Sequence, residues 1–326
     1  MAIGYDVLDL DLEAEAERIC QAIRRGVSHD LKRRGVIVAL SGGIDSSCVA
    51  ALCARALGPK HVHGLHMPEK DSSDDTLGLS RSVSDTFGFD STVEIITPIL
   101  EGLRCYERRD DAIRMVFPEF GPGWKSKIVL PGLLDAGSYN VYSVVVQTPA
   151  GEILKQRLPP KAYLQIVAAT NFKQRTRKML EYYHADRLHF AVTGTPNRLE
   201  YDQGFFVKGG DGLADFKPIA HLYKTQVVRV AAALGVPQGI LDRTPTTDTF
   251  SLAQTQDEFY FALPYPQMDL CLFAHNHGVP ADVAAPVVGL TAEQVVRVYD
   301  DIVAKRRATA GLHVQGVLVR PVPEIH

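Results

Sequence analysis

The chain reads Ser41-Gly42-Gly43-Ile44-Asp45-Ser46-Ser47 between a short apolar run, 36–40, and a run of small residues, 48–57. A buried strand, a glycine-rich turn and a helix in this order are typical of phosphate-binding loops. The two glycines let the backbone approach a ligand, and the N–H groups at the start of the helix favour phosphate. The hydroxyls add donors, and Asp45 can hold Mg²⁺ on that phosphate. The loop therefore predicts an ATP-using enzyme.

Composition limits the classes of protein that this chain can belong to. Its 326 residues are 46% hydrophobic and 22% charged, with a net charge of −3, which is ordinary for a globular protein and disfavours nucleic acid as a partner. Its five cysteines form no C-x-x-C pair, so a reducing cytoplasm fits best. No apolar run approaches the length of a membrane span, so no membrane partner is expected.

Periodicity predicts alternating helices and strands. Strands are expected at 36–40, 61–67, 92–96 and 189–193, and helices at 12–34, 46–57, 74–87, 164–185, 223–234 and 291–306. This alternation predicts an α/β fold with a doubly wound parallel sheet. One domain is expected over 1–326, with a Pro-rich tail at 308–326.

The alternation breaks between about 105 and 165. Two strands, 141–147 and 153–158, are expected on either side of Thr148-Pro149-Ala150-Gly151. We interpret this stretch as a β-hairpin inserted into the α/β domain, a flap or an interface arm. An ordinary irregular connection is the alternative, although connections of this length without secondary structure are uncommon.

Further candidate residues follow the strand at 189–193. Ligands of open α/β sheets bind beyond the carboxyl ends of the strands, so Thr195 and Glu200 could share a crevice with Asp45 and jointly hold magnesium. A surface carboxylate is the alternative for Glu200. The glycine-rich loop 204–215 carries Lys208 and Asp211, which could face a ligand or solvent.

Two basic positions are also candidates. Lys224 begins a helix, where a positive charge opposes the helix dipole, so we expect it to face an anion. Arg175 and Arg177 point to different faces of their helix, and the pattern favours at least one of them as a surface residue.

Together these motifs resemble a known family. The loop 41–47 resembles the SGGxDS signature of the ATP-pyrophosphatases, and further stretches resemble their NAD synthase branch. These are Met67-Pro68 with Ser72-Ser73, then 171–177, 194–200, 204–215 and 222–226, with looser matches at 245–248 and 256–258. The resemblance covers most of the chain outside 105–165 and the last 15 or so residues, and it implies an adenine-nucleotide α-hydrolase-like (Rossmann-like) fold.

The resemblance also implies roles for individual residues. Asp45 and Glu200 would hold Mg²⁺, and with Lys224 they would form the catalytic group. ATP would be bound by Ser41, Gly42, Gly43, Asp45, Ser46, Ser47, Arg177, Thr195 and Lys224. The nicotinate nucleotide would lie against Asn171, Arg175, Lys208, Asp211 and Asp215. Because NAD synthases are homodimers, a homodimer is expected.

The implied reaction is an ATP-dependent amide ligation. The nicotinate carboxylate of deamido-NAD would be adenylated with release of pyrophosphate, and ammonia would then give NAD and AMP. Glutamine-using members carry a large N-terminal domain, whereas only about 35 residues precede the first strand here. Free ammonia, or ammonia from a separate glutaminase, is therefore the expected nitrogen source.

Three departures from the family pattern all fall on the acceptor side: the 105–165 insert, Pro245 to Thr249, and Thr255 to Phe261. An amide ligase acting on a different carboxylic acid therefore remains an alternative. A nucleotide-binding module without catalysis is a second one, disfavoured because Asp45, Glu200 and Lys224 are all present.

Overall fold

A four-stranded parallel sheet forms the centre of the molecule. The computed structural model describes residues 3–73, 75–129, 142–243, 250–252, 260–261 and 263–323. The strands of the sheet are β1 (Val36–Ala39), β2 (Val62–His66), β3 (Asp90–Val93) and β7 (Ala191–Val192). They are arranged in the order β3-β2-β1-β7, and every neighbouring pair is parallel. The predicted parallel sheet is confirmed.

Helices cover both faces of this sheet. Val36 and Val38 of β1 belong to one hydrophobic cluster, and Ile37, between them, belongs to another. The first face carries α1 (Leu12–Arg25), α2 (Ile44–Leu57), α3 (Thr76–Phe87) and α8 (Lys224–Ala233). The second carries α4 (Thr97–Gly102), α5 (Cys105–Arg114) and the long α6 (Pro160–Leu188). The sheet is therefore doubly wound, as its apolar runs predict.

Two predicted elements end earlier than expected. The helix predicted over 12–34 is α-helical only to Arg25 and continues as a π-helical turn over Gly26–Asp30, where Gly26 lies against Phe216. The strand predicted at 92–96 is observed as β3, ending at Val93, because α4 begins at Thr97 with a proline in its first turn.

The stretch predicted as an insert contains a second, antiparallel sheet. Its strands are β4 (Lys125–Val129), β5 (Ser143–Gln147) and β6 (Ile153–Arg157), in that order. The predicted hairpin is β5–β6, and its turn closes with Gly151 at φ +87°. Strand β4 was not predicted. The sheet packs on α5 and the start of α6 through one hydrophobic cluster.

Short helices and a helical subassembly complete the described chain. Isolated 3₁₀ turns occupy Tyr5–Leu8 and Pro59–His61. The later helices are α7 (Arg198–Gln203), α9 (Gln238–Leu241), α10 (Tyr265–Asn276), α11 (Ala281–Val288) and α12 (Ala292–His313). Helices α10 to α12 share a cluster of their own. Helix α12 continues beyond its predicted end, into the stretch assigned to a tail. Within the described ranges no helix is long and apolar enough to cross a membrane.

Candidate active site

The candidate site lies where the strand order reverses. Strand β1 pairs with β2 on one side and with β7 on the other, so the loops after β1 and β7 open on the same edge of the sheet. Ligands of open α/β sheets bind at such a switch point. A cavity of about 800 Å³ opens there, lined by residues of both loops, α6, α12 and the 204–211 loop.

The loop after β1 forms an open helix N-terminus. Gly42 has φ +71°, and a Cβ at this position would lie 3.0 Å from the carbonyl oxygen of Thr76, so the turn requires glycine. Gly43 precedes α2, and no side chain caps this helix. The Ser46 hydroxyl donates to the Gly43 carbonyl over 3.0 Å and lies 3.2 Å from the Ser41 hydroxyl. The uncapped N–H groups and hydroxyls form a cradle suited to an anion.

Asp45 projects from this loop and is held at both oxygens. Its Oδ1 accepts a hydrogen bond from the Asn197 amide over 3.0 Å, and its Oδ2 contacts Nζ of Lys224. Burial alone would lower the pKa of Lys224, but the charges of Asp45 and Glu200 outweigh burial, and the pKa lies above its ordinary value. Lys224 is thus a buried cation that faces an anion, as predicted.

Glu200 lies on the other side of Asn197. The Asn197 side chain accepts from the Glu200 backbone N–H over 3.2 Å, and the Glu200 carboxylate accepts from the Asn197 N–H over 3.2 Å, a capping box that begins α7. Burial, and then the nearby charge of Asp45, raise the pKa of Glu200 above its ordinary value. Two carboxylates whose negative charges oppose each other are a candidate cation site.

Asp269 fixes the end of α8 that carries Lys224. Its carboxylate accepts from the backbone N–H groups of Lys224 (3.2 Å) and Thr225 (2.8 Å) and from the Thr225 hydroxyl (2.7 Å). The side chain is fully buried, and burial raises its pKa to about 6. Sequence reasoning missed this residue, although an aspartate inside the apolar stretch 268–272 was a usable signal.

Four of the residues predicted on the acceptor side also line the cavity. Asn171 and Arg175 lie on α6, facing Lys208 and Asp211. Arg175 donates to the Lys208 carbonyl over 3.2 Å. The Lys208 ammonium donates to the carbonyls of Gly311 (2.7 Å) and Val314 (2.8 Å), so it binds the C-terminal end of α12. This contact ties α12 to the cavity wall.

Two further predicted ligands of ATP, Arg177 and Thr195, line the same cavity. Arg177 donates to the Met67 carbonyl over 3.3 Å, which anchors α6 to the loop after β2, and Thr195 follows β7. Arg177 is partly buried and Arg175 is exposed, so one of the two arginines is a surface residue, as the helical pattern indicated.

Three predicted site residues lie outside the cavity lining: Gly42, Ser47 and Asp215. Ser47 is fully buried, and its hydroxyl donates to the Gly43 carbonyl over 2.8 Å. Asp215 accepts from the Val192 N–H (2.8 Å) and the Tyr182 hydroxyl (3.1 Å), so it supports the end of β7. Both side chains satisfy backbone groups where a ligand contact was expected. The predicted motifs at 245–249 and 255–259 lie outside the described residues.

The cavity wall also contains residues that sequence reasoning missed. Lys178 and Glu181 form a buried ion pair of 2.6 Å on α6. They share a helical face with Asn171, and the i, i+7, i+10 spacing of the three residues could have revealed them. Tyr142, preceding β5, stacks on Tyr163 of α6 with ring centroids 4.2 Å apart, and both rings line the cavity.

Lys173, within the 171–177 motif, has a structural contact. Its ammonium donates to Glu69 and Asp71 over 2.7 Å each, and both carboxylates belong to the loop after β2. Arg109 adds a second cation on Asp71 at 2.6 Å, and the Tyr106 hydroxyl donates to Glu69 over 2.7 Å. This buried network fixes the loop that continues to Ser72, on the cavity wall.

A doubly wound sheet with a phosphate-type loop and paired carboxylates at its switch point defines a nucleotide-binding α/β enzyme of the adenine-nucleotide α-hydrolase-like fold. The family model for NAD synthase matches residues 15–114 and 140–308. The chain belongs to the NAD synthase family. The unmatched residues 115–139 fall inside the stretch predicted as an insert.

Characterised relatives and solved structures agree with this assignment. The NH(3)-dependent NAD(+) synthetase of Rhizobium meliloti (strain 1021) is 57% identical over 100% of this chain and 97% of its own length. The NH(3)-dependent NAD(+) synthetase of Mesorhizobium japonicum is 57% identical over 96% of this chain and 98% of its own length. The NH3-dependent NAD synthetase of Campylobacter jejuni, solved with nitrate, has a TM-score of 0.62 at 19% identity, covering 95% of this chain and all of its own. An NMN synthetase from Francisella tularensis has a TM-score of 0.63 at 19% identity over 95% of this chain and 99% of its own. These last two likenesses concern the fold alone.

Proposed function

We propose that this chain is a ligase that converts deamido-NAD, ATP and ammonia to NAD, AMP and pyrophosphate. The observation that carries the proposal is the cluster of Asp45, Glu200 and Lys224 beside the uncapped N-terminus of α2. An amide ligase that passes through an adenylate needs such a cluster, because charge must be neutralised on the triphosphate. The choice of acceptor and of nitrogen source in this proposal rests on the relatives named as NH(3)-dependent NAD(+) synthetases.

The reaction has two steps. A nicotinate carboxylate oxygen attacks the α-phosphorus of ATP. The bond between this phosphorus and the oxygen that bridges to the β-phosphorus breaks, so pyrophosphate leaves and an acyl-adenylate is formed. Ammonia then attacks the acyl carbon, loses a proton, and AMP leaves with the bonding electrons. Neither step requires a protein nucleophile, and all five cysteines are buried. The residues contribute alignment and electrostatic stabilisation, which dominate phosphoryl transfer.

The residues present fit a magnesium ion. Asp45 and Glu200 offer hard oxygen ligands. Burial, and then repulsion from Asp45, raise the pKa of Glu200, so a divalent cation beside both carboxylates would be stabilised. The described residues contain no group of three or more acidic, His or Cys side chains that could enclose a metal. Mg²⁺ is usually held by one or two carboxylates together with substrate phosphates and water. When bound it would neutralise triphosphate charge beside Lys224.

We further propose that the acceptor lies against Asn171, Arg175, Lys208 and Asp211, with Tyr142 and Tyr163 forming an aromatic wall. Stacked aromatic rings suit the flat face of a pyridine or purine.

The nitrogen source is free ammonia. The unpaired state of all five cysteines supports a reducing, cytoplasmic setting.

A homodimer is part of the proposal. Leu164, Met179 and Tyr183 of α6 are 64%, 57% and 59% exposed. At about 100° per residue they fall within an arc of about 100°, so α6 presents an exposed stripe in which these three apolar side chains lie among charged ones. Exposed Arg175 lies in the same arc and also lines the cavity. A second copy packed on this stripe would therefore lie beside the acceptor end of the site.

Steady-state turnover tests the proposal. With deamido-NAD, ATP, Mg²⁺ and ammonium, the purified chain should form NAD, AMP and pyrophosphate in equal amounts. Pyrophosphate release with another carboxylic acid, but no NAD from deamido-NAD, would reject the acceptor and favour the alternative ligase. Absence of AMP with a panel of carboxylic acids would reject an enzyme and favour a binding module.

A further inference from the structure

Arg243 lines the cavity beside the phosphate-type loop, although the sequence motifs did not indicate it as a site residue. It follows the short helix α9, and its backbone N–H donates to the Ile240 carbonyl over 3.3 Å. Ile240 is 1% exposed and shares a hydrophobic cluster with Ile44 and Val49 of α2. The backbone that carries Arg243 is therefore anchored beside the helix that begins at the phosphate-type loop.

The Arg243 guanidinium bridges the two loops that follow β1 and β2. Its Nη1 lies 3.5 Å from the Gly42 carbonyl oxygen, in the phosphate-type loop. Its Nη2 donates to the Ser73 hydroxyl over 2.8 Å and lies 3.4 Å from the Thr76 hydroxyl. These three partners are uncharged oxygens. A guanidinium has five N–H donors in a planar fork, so it can keep contacts of this kind and also bind phosphate oxygens.

The positive charge of Arg243 is weakly compensated. Three lysines of the cavity lining are each paired with a carboxylate: Lys178 with Glu181, Lys224 with Asp45 and Lys305 with Asp301. Among the described residues, the carboxylate within 4 Å of the Arg243 guanidinium is that of Asp75, at 3.5 Å, and its side chain is 63% exposed. Water and salt screen such a pair, so Asp75 neutralises little of the charge. A cation of this kind beside an anion cradle points to an anionic ligand.

We propose that Arg243 binds the β- and γ-phosphates of ATP and stabilises pyrophosphate as it leaves. This inference rests on the proposed function. Phosphates at the uncapped N–H groups of α2 would lie within reach of the guanidinium, which contacts the same loop at Gly42. When the bond to the α-phosphorus breaks, its electron pair stays on the departing oxygen. A cation with a planar fork of donors stabilises the charge that develops there.

ATP and AMP differ by the pyrophosphate group, so calorimetry with each nucleotide isolates this contact. The titrations would contain Mg²⁺ and no acceptor, and wild type should bind ATP more tightly than AMP. Arg243→Ala should weaken ATP binding roughly 10- to 100-fold, the effect of losing a charged hydrogen bond, and should change AMP binding less than about 2-fold. Arg243→Lys keeps the charge without the fork, so its loss of ATP affinity should be smaller than that of Arg243→Ala.

Two further variants serve as controls. Arg229→Ala removes an exposed arginine of α8 that lies outside the cavity lining and pairs with Asp9 at 2.6 Å, and it should leave both affinities unchanged. Ser73→Ala removes the 2.8 Å contact that joins Arg243 to the loop after β2, and it should cost much less ATP affinity than Arg243→Ala. An equal cost would mean that Arg243 only holds that loop, which would overturn the inference.

An unchanged ATP affinity in Arg243→Ala, or equal weakening of ATP and AMP, would also overturn the inference, as would a wild-type chain that binds both nucleotides equally. NAD formation by wild type together with any of these results would reject the role of Arg243 and leave the proposed function intact. A selective loss of ATP affinity in Arg243→Ala, with a wild type that forms no NAD, would support the role of Arg243 and reject the proposed function.

Discussion

The side-chain amide of Asn197 donates to Asp45 Oδ1 over 3.0 Å, joining residues 152 positions apart. The oxygen of the same amide accepts from the backbone N–H of Glu200 over 3.2 Å. The side chain thus holds the Asp45 carboxylate and caps the helix α7 that carries Glu200, while the Asn197 backbone N–H donates to the Glu200 carboxylate over 3.2 Å. The loops after β1 and β7 are coupled through this single residue.

Asn197→Ala should reduce activity more than its stability cost explains. Loss of the cap should cost about 1 kcal/mol, and misalignment of Asp45 and Glu200 should lower kcat/KM roughly 10- to 100-fold. Unfolding temperature and pyrophosphate release would be measured. Thr291→Ala is the matched control, because Thr291 and Gln294 form a similar capping box at α12, away from the cavity. It should lose comparable stability and keep its activity. Equal activities of the two variants would contradict an aligning role for Asn197.

Asp45→Asn should nearly abolish pyrophosphate release. The change removes one carboxylate of the candidate cation site and the partner of buried Lys224, and loss of such an electrostatic group typically costs about 100- to 1,000-fold in kcat. The unfolding temperature should change little, because Glu200 can ionise to balance Lys224. Asp242→Asn, an exposed change outside the cavity, controls for loss of one charge. Retention of most of the activity by Asp45→Asn would argue against its metal role.

Glu200→Gln should stabilise the ligand-free protein at alkaline pH while inactivating it. The folded pKa of Glu200 lies above its ordinary 4.5. Its contribution to stability is therefore complete below about pH 4.5 and is lost as pH rises through the folded pKa. Glutamine cannot ionise and escapes this loss. The unfolding temperatures of wild type and Glu200→Gln should be equal near pH 5, and that of the variant should be a few degrees higher than that of wild type at pH 9.

The control for this prediction is Glu101→Gln, an exposed change on α4 outside the cavity, which should show no such pH-dependent difference. The contrary outcome is a Glu200→Gln variant that is less stable than wild type at pH 9. It would mean that ionised Glu200 stabilises the ligand-free fold and is not repelled by Asp45.

Tyr142→Ala should raise the KM for deamido-NAD several-fold and leave the KM for ATP nearly unchanged. Removing the ring takes away half of the aromatic wall that we propose for the acceptor, and it removes no residue of the loop after β1. Tyr142→Phe keeps the stacking on Tyr163 and should behave as wild type. Removal of the whole antiparallel sheet is a poorer test, because it would expose Ile113 and Ile166 of the shared cluster. Equal rises in both KM values would indicate a general disturbance of the site.

Met179→Glu should convert the proposed dimer to a monomer, since the added carboxylate would have to lose its hydration in the interface. Light scattering after size exclusion would give the mass. Val296→Glu is the control, because Val296 is 47% exposed on α12 and lies outside the α6 stripe. A wild-type chain that is monomeric at micromolar concentration would rule out this interface.

Local pattern was enough to predict most of the framework. The strand, loop and helix of 36–57, the hairpin at 143–157 and the long helix α6 follow from periodicity, glycine positions and turn residues, which act over a few positions. Element ends were less predictable. The helix beginning at Leu12 becomes π-helical at Gly26, where Phe216, far along the chain, lies against the glycine.

The sequence alone determined the class of fold, the phosphate-type loop and the family to which the motifs belong. The tertiary structure decided which candidates share the cavity: Asp45, Glu200 and Lys224 do, whereas Ser47 and Asp215 satisfy backbone groups elsewhere. It also revealed Asp269 and the Tyr142–Tyr163 stack. The physical reason is the separation along the chain between the residues that interact. Secondary structure depends on neighbours within a turn or two, whereas hydrogen-bond partners and desolvation depend on packing between residues separated by 152 positions (Asp45 and Asn197) or 179 (Asp45 and Lys224).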